Sequence, residues 1–300
     1  MSNISRSFPL YGETCAGLAA VLWGLNYPIT KWVLKAVPAG EFLVVRFSLG
    51  GLLFVSIVAM CGQDLSIERK DRSKLAVLGL LCVGLYNVLW TLGIHRISSS
   101  TSALIISSSP LLVGLFCSLL GMEKMTTRRW LGLTSGFLGV VMIMVSGSSP
   151  QTGLQSFLGG NAMTALSAIL FALYAVVAKP LLREHSAIKV TALAMLGGLP
   201  VIVPFGLFIS PPASWVLPGP EILLGGLYVV LAGTVAAYFL WYRGVQRIGP
   251  VQTVMLHFLT PCVSLVFAPL LLGDSSSPQK ILGAGIVFFS VVIFRLKKDS

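Results

Sequence analysis

The chain has 300 residues, of which 55% are hydrophobic and only 10% charged, with a mean hydropathy of +0.89 and a net charge of +11. Charged residues make up about a quarter of a typical soluble domain, so this composition excludes a soluble globular protein. The positive charge does not indicate a nucleic-acid partner, because the basic residues flank long apolar stretches, where they orient membrane spans.

Ten apolar stretches approach the length of about 20 residues that a helix needs to cross a bilayer. We therefore predict an all-α integral membrane protein with ten transmembrane helices. The fifth and tenth stretches have the shortest apolar cores. The predicted spans are 15–34, 42–60, 75–94, 101–120, 129–147, 157–178, 190–209, 222–242, 251–272 and 279–296.

Neither the amino-terminal segment nor the cysteines suggest processing or metal chemistry. The amino-terminal segment lacks a small-residue cleavage site behind a short apolar core, so the first span is predicted to be an uncleaved anchor. The five cysteines have neither paired nor metal-ligand spacing, and no cofactor or metal is expected. An enzyme is not expected either, because the sequence lacks a phosphate-binding glycine loop, HExxH and GxSxG.

The basic residues predict the orientation. With the predicted spans, sixteen of the 21 lysines and arginines lie on the same side of the membrane as the amino terminus. An excess of positive charge marks the cytoplasmic side. We therefore expect both termini in the cytoplasm and the loop Ser146–Ser156 outside, in a bacterial inner (plasma) membrane.

The chain contains an internal repeat. Adding 151 to the residue number takes Trp90 to Trp241 and Pro110 to Pro261 without a gap, and adding 148 takes Lys31 to Lys179. The predicted repeats cover 15–146 and 157–296, with five spans each. Because five is odd, the second repeat would enter the membrane inverted. Inverted repeats are typical of transporters that expose a midplane site alternately to the two sides.

Several motifs carry a resemblance to a known family. They are the stretch WGLNYPITK on the first span, Arg46 early in the second, Pro110 on the fourth, and a glycine-rich fifth span. With the two five-span halves, this pattern resembles the EamA-type domains of the drug/metabolite transporter superfamily. The resemblance implies a transporter, but not its substrate, since the superfamily handles amino acids, sugars, nucleotide-sugars, cations and drugs. The second half departs from the pattern, because Arg46 corresponds to Ala194.

Arg46 is the strongest single candidate for a functional residue. An arginine inside a span needs a partner or a wet cavity, because exposure to lipid is costly. Two structural alternatives stay open at this point: the side chain could snorkel to the outer interface, or it could pair with Glu41.

Other polar and aromatic residues within the spans are predicted to line a substrate cavity. Trp90 and Trp241 could instead belong to interfacial aromatic belts. His257 could be a neutral imidazole bonded to a neighbouring helix. The complete predicted substrate-binding set is Asn26, Tyr27, Arg46, Tyr86, Asn87, Trp90, Tyr238, Trp241 and His257.

Four residues are predicted to act in gating. Lys31 and Lys179 would lie at opposite faces of the membrane and could close opposite ends of one pathway, although ordinary flanking lysines would look the same. Pro110 and Pro261 each interrupt a helix, following Ser109 and Thr260 respectively, and such kinks can expose carbonyls to a cavity.

These features predict a secondary transporter, an exporter or exchanger of small metabolites such as amino acids. The expected partners are a small-molecule substrate and the lipid bilayer, and a homodimer is compatible with the sequence. The alternatives are a nucleotide-sugar or sugar-phosphate carrier of the same fold, and a membrane subunit that transports nothing. All ten acidic residues fall at span ends or in loops, which leaves any coupling ion open.

Overall fold

The structure is a computed structural model that describes residues 11–97, 99–145, 154–272 and 278–295. Within these residues the regular structure is entirely helical. Its α-helices are α1 (Tyr11–Val33), α2 (Ala39–Met60), α3 (Arg69–Ala76), α4 (Tyr86–Arg96), α5 (Ser99–Ile106), α6 (Ser109–Leu119), α7 (Thr127–Val145), α8 (Leu154–Glu184), α9 (Ala187–Ile209), α10 (Pro220–Val230), α11 (Ala237–Ile248), α12 (Pro250–Leu256), α13 (Leu259–Leu272) and α14 (Pro278–Arg295). The predicted loop Ser146–Ser156 lies largely outside the described residues, as do both chain ends.

Seven helical segments of the described chain are long and apolar enough to cross a membrane, judged by length and composition. They make the protein an all-helical membrane protein. Helices α1, α7 and α14 coincide with the predicted first, fifth and tenth spans but are not among the seven, so the count of ten stays a prediction. The seven segments are Ala39–Met60, Arg69–Arg96, Ser102–Leu119, Gly159–Glu184, Ala187–Ile209, Pro220–Ile248 and Pro250–Phe267.

Two of these segments contain a π-helical stretch. Val77–Leu85 joins α3 to α4, and Leu231–Ala236 joins α10 to α11. In a π-helix the hydrogen bonds run to the fifth residue instead of the fourth, and such stretches are frequent at functional sites. One carbonyl of the second stretch binds a side chain, since Trp23 Nε1 donates to Gly233 O at 3.1 Å.

Two further segments break just before a proline. The break between α5 and α6 precedes Pro110, and that between α12 and α13, at His257, precedes Pro261. Proline has no N–H, so the carbonyl four residues earlier loses its usual donor. His257 O instead accepts from Thr260 N at 2.9 Å.

Helices α1 and α8 run in opposite directions, because Lys31 near the end of α1 and Gly160 near the start of α8 both contact Ile97. Gly12, near the start of α1, packs against Ile248 at the end of α11. Gly160, near the start of α8, packs against Ile97 just after α4. A Cβ on Gly12 would lie 2.7 Å from Ile248 Cγ2, and a Cβ on Gly160 would lie 2.6 Å from Ile97 Cγ2, so both close approaches require glycine.

Candidate functional site

A small polar cavity lies where α1, α2, α4, α8 and α11 meet the break between α12 and α13. Its volume is only about 20 Å³, room for roughly one water molecule, so the bundle is closed around it in this conformation. Eight of the nine predicted substrate-binding residues line it. The ten lining residues are Trp23, Asn26, Tyr27, Arg46, Tyr86, Asn87, Trp90, Phe171, Tyr238 and His257.

Arg46 is buried in the wall of this cavity, with only 3% of its surface exposed. Its Nε donates to Thr234 Oγ1 at 2.8 Å, and its guanidinium lies 5.0 Å from the ring centroid of Phe47 and 5.7 Å from that of Trp90. These contacts rule out snorkelling in this conformation. Among the described residues Arg46 and Glu41 form no ion pair, and Glu41 Oε2 instead accepts from Val216 N at 3.0 Å.

Asn87 and Tyr238 join the two halves of the chain across the cavity. Asn87 Nδ2 donates to Tyr238 Oη at 3.1 Å and to Val83 O at 2.8 Å. The two residues are 151 positions apart, the offset of the predicted repeat. Both are buried, with 1% and 4% exposure respectively, so this contact holds polar groups away from lipid.

Aromatic rings form one side of the site. Trp23 lies at the centre, with ring centroids 5.4 Å from Tyr238, 5.1 Å from Trp241 and 5.5 Å from His257. Trp241 packs behind this wall and does not line the cavity. Trp90 and Trp241 are 3% and 0% exposed, so the interfacial-belt alternative is wrong for both.

Four polar atoms in the cavity wall are buried without a hydrogen-bond partner. They are Asn26 Oδ1, Arg46 Nη1, Trp90 Nε1 and His257 Nδ1. A buried polar atom without a partner is costly and calls for an explanation, of which a bound water or ligand is one. These atoms include one acceptor, one charged donor, and an imidazole nitrogen that can take either role.

Lys31 lies at one end of the bundle, against the end of α4. Its Nζ donates to the carbonyl oxygens of Ile94, His95 and Ile97 at 2.8, 3.1 and 3.0 Å. These carbonyls belong to the carboxyl-terminal end of α4, where a cation is favoured because the last carbonyls of a helix lack partners.

Lys179 lies at the opposite end of the bundle and has a different set of partners. Its Nζ is 3.2 Å from Glu123 Oε1, and Arg129 also contacts that carboxylate, at 3.4 Å. A recess of about 640 Å³ opens here, lined by Lys179, Arg243 and Arg247 among others. The two lysines therefore do not make equivalent contacts in this conformation. Pro110 and Pro261 do not line the small cavity.

One cluster of potential metal ligands occurs within the described residues, away from the cavity. Asp71, Glu184 and His185 have ligand atoms within 4.8 Å of one another. Their carboxylates already contact lysine ammonium groups: Asp71 pairs with Lys74 at 3.0 Å, and Glu184 pairs with Lys70 at 2.8 Å. This donor set is therefore satisfied by the protein's own cations.

Several residues of the site are absent from the predicted set. Trp23 and Phe171 line the cavity. Both are aromatic and are equivalent at an offset of 148, and this pattern could have indicated that they lie in the cavity wall. Thr234, the partner of Arg46, could have been noticed only as a hydroxyl in an apolar span. Glu123 follows no motif that would indicate Lys179 as its partner, since 56 residues separate the two.

Comparison with known sequences decides the family. The sequence model of the EamA-like transporter family matches residues 10–145 and again residues 158–296. The chain belongs to the EamA-like transporter family. This transporter is also 26% identical over 94% of its length to an uncharacterized transporter of Archaeoglobus fulgidus, with 97% of that protein covered.

Two further relatives and one solved structure agree with this assignment. The transporter is 27% identical to the protein PecM of Dickeya dadantii, over 92% of this chain and 89% of PecM. It is 23% identical to the uncharacterized inner membrane transporter YedA of Escherichia coli K12, over 97% and 92% of the two chains. A protein crystal structure matches with a TM-score of 0.76, 16% identity, and coverage of 95% and 96%, which supports the fold alone. The protein is therefore a membrane transporter rather than an enzyme.

Proposed function

We propose that this EamA-family protein is a secondary transporter that exports or exchanges small metabolites bearing a carboxylate, such as amino acids. The observation that carries the proposal is the state of Arg46. Its guanidinium is buried between the two halves of the chain, is held by Thr234, and keeps Nη1 without a partner. A guanidinium binds a carboxylate through two parallel hydrogen bonds, so a free N–H at this position suits such a substrate.

We further propose that ten spans form two inverted five-helix repeats, bounded by 15–146 and 157–296. Two contacts support this arrangement. Gly12 packs on Ile248, and Gly160 packs on Ile97. The two contacts are equivalent under the repeat, since Gly12 plus 148 is Gly160 and Ile97 plus 151 is Ile248. The opposite directions of α1 and α8 agree with inversion.

The two ends of the bundle support transport by alternating access. Lys31 binds three carbonyls at one end, while a recess of about 640 Å³ opens beside Lys179 at the other. We infer that the two lysines and the proline breaks at Pro110 and Pro261 take part in opening one end of the pathway while the other end closes. In the predicted orientation both termini lie on the cytoplasmic side of an inner membrane. The recess then faces the cytoplasm.

A nucleotide-sugar or sugar-phosphate carrier of the same fold is the second candidate. Phosphate groups carry more negative charge and would be matched by several cations in the site. Among the ten lining residues Arg46 is the only lysine or arginine, which favours a carboxylate.

Uptake by proteoliposomes containing the purified full-length protein tests the proposal. Labelled amino acids, sugar phosphates and nucleotide sugars are offered separately, with protein-free liposomes as the control. We expect uptake of at least one carboxylate-bearing amino acid above the control. Uptake confined to phosphorylated compounds would replace the proposal by the carrier alternative.

A further inference from the structure

An apolar groove on the outside of the bundle lies beside the polar cavity. It has a volume of about 700 Å³ and is formed by α2, α10 and the connecting residues Val216–Pro218. Its walls are mainly leucine and valine, for example Leu49 and Leu227, which are 46% and 53% exposed. In a membrane such a surface faces acyl chains.

The groove and the cavity share one residue, Arg46. The guanidinium is buried and has a free Nη1, so an unpaired positive charge lies on the residue that separates the groove from the cavity. Glu41 also lines the groove, about one and a half turns earlier on α2. Its carboxylate accepts from Val216 N, so it links the connecting segment to the first turn of α2.

The two volumes suit different parts of one molecule. The cavity of about 20 Å³ has room for a carboxylate oxygen but not for the body of a metabolite. The adjoining groove of about 700 Å³ has room for an apolar body. Its walls carry almost no polar groups, so they would not bind a polar body. A molecule with a carboxylate at one end and an apolar chain at the other matches both.

We propose that the groove between α2 and α10 binds the apolar body of an amphipathic monocarboxylate whose headgroup pairs with Arg46. The inference rests on the carboxylate role of Arg46 in the proposed function and adds the chemical class of the rest of the substrate. It also gives such a substrate a lateral path between the site and the bilayer. An acyl chain of a bilayer lipid would fill the groove without engaging Arg46.

Binding of linear carboxylates of different length to the full-length protein in nanodiscs tests the inference. Butanoate and octanoate are compared with octanol by competition against labelled octanoate, with empty nanodiscs subtracted. Each buried methylene should tighten binding about fourfold, so octanoate should bind roughly two hundredfold more tightly than butanoate. Octanol should bind far more weakly than octanoate, and Arg46→Ala should remove that difference.

Gly226 offers a variant that fills the groove without a clash. It lines the groove, and a Cβ at this position meets nothing within 4 Å. Gly226→Leu should weaken octanoate binding at least tenfold and leave butanoate binding unchanged. Gly17→Leu is the matched control, because Gly17 is also helical, half-buried and free of neighbours within 4 Å, but lies outside the groove.

The outcomes separate this inference from the proposed function. Equal binding of butanoate and octanoate, or octanoate binding that Gly226→Leu leaves intact, overturns the groove assignment but not the role of Arg46. Carboxylate binding that Arg46→Ala leaves intact overturns both. Octanol that binds as tightly as octanoate shows that the groove takes only lipid acyl chains, and this too overturns the inference.

Discussion

At the scale of single residues, Arg46 combines burial, a defined hydrogen bond and an unused donor. The sequence could identify it, because an arginine within an apolar span is rare. It could not identify Thr234 as the partner, since 188 residues separate the two and no local pattern links them. Nor could it predict that the cavity is nearly closed, because a volume depends on how five helices pack.

Substitution of Arg46 is predicted to weaken transport without loss of the fold. The equivalent position in the other half is Ala194, so the repeat itself does not need the charge. Loss of a charge-assisted pair costs about 1.5–3 kcal/mol, or about ten- to a hundredfold in affinity. Arg46→Lys should weaken uptake of a carboxylate, and Arg46→Ala should weaken it further.

Glu41→Gln is the control for this series. Because Glu41 contacts Val216 N and not Arg46, the glutamine retains an acceptor and uptake should stay near that of the unmodified protein. Proteoliposome uptake, protein yield and melting temperature are measured for all three variants. Full uptake by Arg46→Ala would remove Arg46 from the site.

Lys31 should stabilise the closed end of the bundle. Lys31→Met removes the donor to three carbonyls around the end of α4, and we expect a loss of about 1–2 kcal/mol in unfolding free energy. Lys35→Met, at an exposed position one turn further on, is the control. Thermal unfolding in detergent compares them, and equal melting temperatures would show that Lys31 is an ordinary flanking lysine.

At the scale of helices, hydropathy located the apolar segments, and prolines located two of the breaks. Pro110 and Pro261 predict the breaks, because the residue type alone shows that the backbone N–H is missing. The π-helical stretches Val77–Leu85 and Leu231–Ala236 could not be predicted, since an apolar run looks the same whether its hydrogen bonds reach the fourth or the fifth residue.

The contact between Gly12 and Ile248 should tolerate no side chain. Gly12→Val would force its Cβ to within 2.7 Å of Ile248 Cγ2, and overpacking of this kind costs about 1–3 kcal/mol. Gly17→Val, on the same helix but with open space around its Cβ, carries the same β-branched penalty without the clash. A melting temperature of Gly12→Val equal to that of Gly17→Val would contradict this packing.

At the scale of the whole molecule, the distribution of basic residues predicts the orientation. Sixteen of 21 lysines and arginines lie on one side, so both termini should be cytoplasmic and the loop Ser146–Ser156 external. Thr152 and Ser300 are each replaced by cysteine in a variant that lacks the natural cysteines. A membrane-impermeant thiol reagent is then applied to intact cells. Thr152→Cys should react and Ser300→Cys should not, whereas the reverse pattern would overturn the topology.

Counterflow in proteoliposomes tests the central claim, that two halves expose one carboxylate site alternately. Vesicles loaded with an unlabelled carboxylate substrate are diluted into a trace of the same labelled compound. Alternating access predicts a transient accumulation of label that depends on the internal substrate, because each return step carries substrate back. Arg46→Ala should reduce this accumulation by about ten- to a hundredfold. Label entry that is independent of internal substrate and unchanged in Arg46→Ala would contradict the account.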